Sequence, residues 1–191
     1  MNNMINNNIL YMLSHQPGSR LPKYVTAIDE RGVSIFAEGI PKIRPHRVFV
    51  NFEGVEVMDR MLTSGVELIL SEKTASILRA FKRPEDIVEI PCEIIGARNV
   101  GVQYFLWYVH REIDILNYRC SSLKLIRNHV LSVLAWAVDV GKVPNLDLFL
   151  GNKNEWFVSN DIVECVFREK LTGFGFIRVP CYDESEKSDN P

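Results

Sequence analysis

No CxxC or CxxH pair occurs in this 191-residue chain. Its four cysteines, Cys92, Cys120, Cys165 and Cys181, lack the spacing of a zinc site built on local ligand pairs. They read as buried free thiols of a reducing compartment, and no disulfide is expected. No stretch approaches the roughly 18 apolar residues of a membrane span. The opening MNNMINNN has no basic region, and its apolar run from Ile9 to Leu13 is shorter than a signal core, so export is not expected and a cytoplasmic location is. Neither sign of charge prevails. With 22 Lys and Arg against 24 Asp and Glu, the net charge of -2 points to neither nucleic acid nor an anionic membrane as partner. Walker loop, GxGxxG, HExxH and GxSxG are all missing, which removes the usual sequence support for nucleotide binding, zinc proteolysis and a serine nucleophile. The expectation is therefore a non-enzyme with no catalytic residue, no metal and no cofactor.

What is present is apolar surface. Hydrophobic residues make up 47% of the chain and aromatic ones 10%, the composition of a globular protein with a core. Four of the nine prolines, Pro17, Pro22, Pro41 and Pro45, fall in residues 1–65, between short β-like runs such as Tyr24–Ile28 and Val33–Ala37. We read 1–65 as a β-rich N-terminal region packed on the main domain, 66–182 as an α+β domain, and 183–191 as a disordered acidic tail.

An internal repeat is the most informative feature. Leu68–Leu78 precedes Ile90-Pro91-Cys92, and Trp156–Val166 precedes Val179-Pro180-Cys181. In each copy an apolar strand ends at a serine, Ser71 or Ser159, placed to cap a helix with its hydroxyl. Thr74, Ile77, Leu78 and Phe81 then recur at helical spacing, as do Ile162, Val163, Val166 and Phe167. Gly173 is expected to end the second helix, and Leu78 and Val166 to face one sheet. The predicted fold is α+β, a mixed or antiparallel sheet with a strand–helix–strand unit used twice.

Between the copies, Val102–His110 is dense in aromatic and β-branched residues and predicts a buried central strand. Residues 126–140 fit both patterns: Ile126, Val130, Val133, Leu134 and Ala137 suit a helix, while Val138-Asp139-Val140 suits a strand.

His110, Glu112 and Asp114 follow at period two, so an extended segment would project them from one face, where a metal or acid–base site could use them. The reading adopted is the solvated face of a strand whose other face buries Ile113 and Ile115. Lys42, Arg44, His46 and Arg47 form a small basic patch, read as a proline-broken surface loop. His15 and His129 stand alone. Trp107, Trp136 and Trp156 lie in apolar runs and are assigned to core packing.

Four ordered segments carry a resemblance: Glu67–Ala75, Tyr104–Asn117, Asp147–Gly151, and Trp156–Asp161 continuing through Leu171–Phe176. In these, residues 66–180, about 60% of the chain, resemble a family of bacterial immunity proteins from polymorphic-toxin systems, whose domain was first catalogued as one of unknown function. The resemblance implies a cytosolic protein that binds a cognate protein toxin, with no catalytic residues to carry over. The chain departs from the family pattern over Val130–Val140 and in residues 1–65. Two other functions remain open on the sequence: an enzyme of unfamiliar class using His110, Glu112 and Asp114, and a structural or adaptor subunit of a secretion or phage system.

Overall fold

The computed structural model describes residues 9–14, 24–37, 41, 44–51, 58–61, 63, 66–96, 101–127 and 129–183. The strands are β1 (Leu10–Ser14), β2 (Ala27–Ile28), β3 (Val48–Asn51), β4 (Arg60–Met61) and β5 (Leu68–Ser71), followed by helix α1 (Glu72–Leu78). Next come β6 (Val88–Ile95), β7 (Tyr104–Tyr108), β8 (Ser122–Ile126), β9 (His129–Ala135), β10 (Val138–Asp139) and β11 (Leu148–Leu150). The chain continues through β12 (Trp156–Ser159), helix α2 (Asn160–Arg168), β13 (Gly175–Val179) and β14 (Cys181–Tyr182). The fold is α+β. No helix among the described residues is long and apolar enough to cross a membrane.

Two sheets carry the structure. A six-stranded mixed sheet runs β2-β3-β6-β7-β5-β4, with β3 and β6 parallel and the other neighbours antiparallel. A four-stranded antiparallel sheet runs β11-β12-β1-β13. Strand β1, from the N-terminal region, is central to the second sheet, while β2, β3 and β4 belong to the first. Residues 1–65 thus contribute strands to both.

Side chains alternate across each strand, and that alternation fixes the layers. Leu68 and Leu70 of β5 and Trp107 of β7 face Leu13 of β1, Leu148 and Leu150 of β11, and Trp156 and Val158 of β12 in one buried cluster. The intervening residues turn outward: Ile69, Tyr104, Leu106 and Tyr108 join a second cluster under Val25, Ala27, Val48 and Val50. Leu10, Phe149 and Phe157 join a third with Ile115 and Val138. Each such Leu, Ile or Phe contributes on the order of 1.5–3 kcal/mol on burial, so the fold rests on both faces of both sheets.

Helices α1 and α2 enter the shared central cluster through Ala75 and Leu78, and through Ile162, Val163 and Val166. They share a core but not a sheet: α1 lies on β5 and β7, and α2 on β12 and β1. In both β5–α1–β6 and β12–α2–β13 the flanking strands are parallel and separated by one antiparallel strand, β7 in the first and β1 in the second.

The caps differ, which corrects the expectation of equivalent serines. The Ser71 hydroxyl accepts from the Thr74 N–H at 3.3 Å, whereas Ser159 makes no side-chain capping bond. The Ser159 hydroxyl is sealed from solvent without a partner among the described residues. Phe167 also departs from expectation. It is 70% exposed, because it lies about 100° around the helix from buried Val166 and falls off the apolar stripe.

Helix α2 does not end at Gly173. The Lys170 N–H donates to the Phe167 carbonyl at 3.2 Å and the Leu171 N–H to the Val166 carbonyl at 3.0 Å, with Lys170 at φ +55. That is a Schellman termination with a non-glycine residue in its left-handed position. Gly173, at φ +83, is required elsewhere: a Cβ there would meet the Arg60 carbonyl oxygen at 2.0 Å.

The anticipated central strand is β7, with Tyr104, Leu106, Trp107 and Tyr108 all buried. Trp107 and Trp156 are core residues, and half-buried Trp136 packs edge-on against Phe157 at 5.4 Å. The four cysteines are free thiols, and burial pushes that of Cys92 up to about 12. His15, Lys42, the opening eight residues and the acidic tail beyond Asp183 lie outside the described residues.

Candidate interaction surface

Period-two spacing does not bring His110, Glu112 and Asp114 onto one strand face. The chain leaves β7 at Tyr108 and runs irregularly, forming no strand but the isolated bridges Ile113–Gly151 and Leu116–Val138. All three polar residues are exposed. His110 packs edge-on to Tyr108 at 5.4 Å. Asp114 Oδ1 accepts from Asn152 Nδ2 at 2.8 Å and from the Leu116 N–H at 3.3 Å, while Asn152 Oδ1 accepts from the Ile115 N–H at 2.9 Å. Asp114 and Asn152 together pin this segment to the turn before β12. Ile115 is fully buried and Ile113 half-buried, so the apolar side of the expectation matches the structure although the strand does not form. Among the described residues no three His, Cys, Asp or Glu side chains are grouped to hold a metal ion.

The basic loop is tied down by acceptors of its own. Arg47 donates Nε and Nη2 to the two carboxylate oxygens of Glu93 at 2.7 and 2.8 Å, a pairing that raises the Arg47 pKa and lowers that of Glu93. Arg44 Nη2 donates to the Glu89 carbonyl at 2.7 Å. Arg47 also lines an open hollow of about 560 Å³ together with Asp29, Glu30 and His46. Exposed pairs of this kind contribute little to stability.

A second hollow, about 530 Å³, opens where the two sheets meet, between Ser14, Tyr24, Arg60, Glu67, Lys153 and Glu155. Arg60 Nη1 donates to the carbonyls of Ser14 and Gly173 at 2.8 and 3.1 Å, and its guanidinium lies 5.8 Å from the centre of the Phe174 ring. Burial lowers the Arg60 pKa to about 10, against the opposing pull of Glu155. Burial also raises Glu67, which is only 4% exposed, and Glu155, on which Arg60 acts in the opposite direction. Arg60 Nε and Glu67 Oε2 are sealed from solvent with no partner among the described residues. Both residues line the hollow, yet these two atoms are shut off from solvent, and a buried polar atom without a partner costs stability. No motif announces this cluster, because its members lie far apart in sequence.

The β8–β9 hairpin differs from all of these. It is a two-stranded sheet of its own, outside both main sheets. Its base is held where the Ser121 hydroxyl donates to the Ala137 carbonyl at 3.0 Å and accepts from the Ala137 N–H at 3.1 Å. Beyond that base Leu125, Ile126, Leu131 and Leu134 are 53%, 53%, 52% and 68% exposed. An isolated hairpin is at best marginally stable in water, and clustered exposed apolar side chains mark interaction surfaces. Residues 126–140, which the sequence left between helix and strand, are thus strand over His129–Ala135 and Val138–Asp139.

No family model matches the chain, and no curated protein matches it.

Proposed function

We propose that this is an immunity protein, which binds a cognate bacterial toxin in the cytosol and neutralises it stoichiometrically, by covering or distorting the toxin rather than by any reaction of its own. The observation that carries this reading is the placement of the exposed apolar side chains clustered on the β8–β9 hairpin. The segments bearing the resemblance to immunity proteins build the scaffold: β5 with α1, β7, β11, and β12 with α2. The large apolar side chains of the hairpin lie outside those segments, and Val130–Val140 is a stretch where the chain departs from the family pattern. A shared scaffold presenting a divergent apolar surface is what specific recognition of different partners requires. Of the polar candidates, Asp114 is bonded to Asn152 and Arg47 to Glu93.

The test is co-expression with the toxin encoded by the adjacent gene. Cells should survive when this protein is present and die when it is not. Unchanged killing in the presence of soluble, folded protein would overturn the reading.

A further inference from the structure

Four observations on the hairpin converge. Register is the first. The pairs Ser122–Ala135, Leu123–Val133, Lys124–Ser132, Leu125–Val130 and Ile126–His129 skip one residue of β9 twice, and the skipped residues are Leu134 and Leu131. Both bulges therefore place a leucine in solvent, and bulges are a means of re-aiming a side chain.

Second, Leu125 and Ile126 are consecutive in β8 and project from opposite faces. Each is 53% exposed. The hairpin is apolar on both faces, so a flat partner surface would leave one face in water, whereas a cleft would cover both.

The third is charge. Between Asp114 and Asp139 the chain has no acidic residue, while Arg119, Lys124 and Arg127 are exposed, and none is ion-paired with a described residue. Fourth, Arg127 sits at the hairpin tip with φ +48. Glycine or asparagine would occupy that left-handed position at less cost. The fold alone gives no reason for an arginine there, so its side chain is the feature being presented.

We propose that the hairpin is the docking element of this protein and enters, tip first, an acidic cleft on the toxin, with apolar walls receiving Leu125, Ile126, Leu131 and Leu134 and carboxylates meeting Lys124 and Arg127. This rests on the proposed function for the identity of the partner. An anionic membrane fits less well. Leu134 lies near the base of the hairpin, beside the Ser122–Ala135 pair, a strand's length of roughly 17 Å from the tip. Insertion of the tip into lipid would leave it in water.

The experiment measures affinity for the purified toxin encoded by the adjacent gene, made catalytically inactive, and for phosphatidylcholine vesicles with and without phosphatidylglycerol. It uses the wild-type protein and three variants: Lys124→Glu with Arg127→Glu, Leu131→Ser with Leu134→Ser, and Arg127→Gly alone. A single Leu134→Ser replaces the leucine pair if that variant fails to fold. Charge reversal should weaken toxin binding by roughly tenfold or more at low salt, with the gap narrowing as salt rises. The leucine change should weaken it at every salt concentration. Arg127→Gly should lose affinity while melting at or above the wild-type midpoint. If the wild type binds toxin and all three variants bind equally well, the hairpin assignment is overturned and the immunity reading stands. If the wild type binds no toxin, both fall. Hairpin-dependent binding to anionic vesicles without toxin binding also overturns the assignment and makes the hairpin a membrane anchor.

Discussion

Asp59 and Thr172, 113 residues apart, exchange three hydrogen bonds. The Asp59 N–H donates to Thr172 Oγ1 at 2.9 Å, and Asp59 Oδ2 accepts from the Thr172 N–H at 2.9 Å and from its hydroxyl at 3.0 Å. Asp59 Oδ1 meanwhile accepts from the Ser71 hydroxyl at 3.0 Å. One carboxylate thereby joins the start of α1, in the six-stranded sheet, to the loop before β13, in the four-stranded one. Hydrogen bonds to a charged acceptor contribute about 1.5–3 kcal/mol. Asp59→Ala should therefore destabilise the protein by about 2 kcal/mol or more, and Thr172→Val by less, because the valine variant keeps the backbone donor. Urea melts of the two variants measure that ordering.

The serines before the helices should respond in opposite ways. Ser71→Ala removes an acceptor from the Thr74 N–H and should cost about 0.5–2 kcal/mol. Ser159→Ala removes a sealed hydroxyl that has no partner among the described residues, so it should leave the denaturation midpoint unchanged or raise it. Equal losses at both positions would show that Ser159 caps α2 in solution.

Lys170 offers a gain. It is exposed, and at φ +55 it holds the left-handed position of the α2 termination. Left-handed backbone costs a non-glycine residue about 1–2 kcal/mol. Glycine forms the same two termination bonds without that cost, although it loses more entropy on folding. Lys170→Gly should raise the midpoint, by up to about 1 kcal/mol in stability. A lower midpoint would mean that the Lys170 side chain makes a stabilising contact.

Much of this architecture could be read from residue order. Apolar runs bounded by Ser71 and Ser159 located β5, β12 and both helices, and the aromatic density of 104–108 located β7, because buried strands and amphipathic stripes leave periodic traces. The hairpin hid itself for a definite reason. Two bulges interrupt the period-two alternation of β9, and the resulting spacing of Ile126, Val130, Val133, Leu134 and Ala137 imitates a helix. His110, Glu112 and Asp114 misled in the opposite way, since a period of two was present without a strand to use it. The cluster of Arg60, Glu67 and Glu155 left no trace at all. It exists only because β4, the turn into β5 and the turn before β12 meet at the junction of the sheets, and such long-range juxtaposition is invisible to a local pattern.

That cluster sets the last prediction, the pH dependence of stability. Burial holds the Glu67 carboxyl above its ordinary value of 4.5, and Oε2 has no partner among the described residues. Well below 4.5 the carboxyl is protonated in both folded and unfolded chains, so it contributes no pH dependence. As pH rises past 4.5 the unfolded chain releases its proton while the folded chain retains it, and stability falls until the folded carboxyl ionises as well. Burial raises Glu155 in the same direction, with Arg60 partly offsetting it, so the wild-type decline has contributions from both acids. Glu67→Gln removes one of them. Its amide stays neutral at every pH, so the variant's midpoint should improve relative to wild type as pH rises from about 4.5 to 7, whatever its offset at low pH. Thermal melts of the pair across that range measure the difference. A wild-type protein that instead gains stability relative to the variant as pH rises would show that Glu67 is ionised and paired in the folded state, and that the buried orphan oxygen has found a partner.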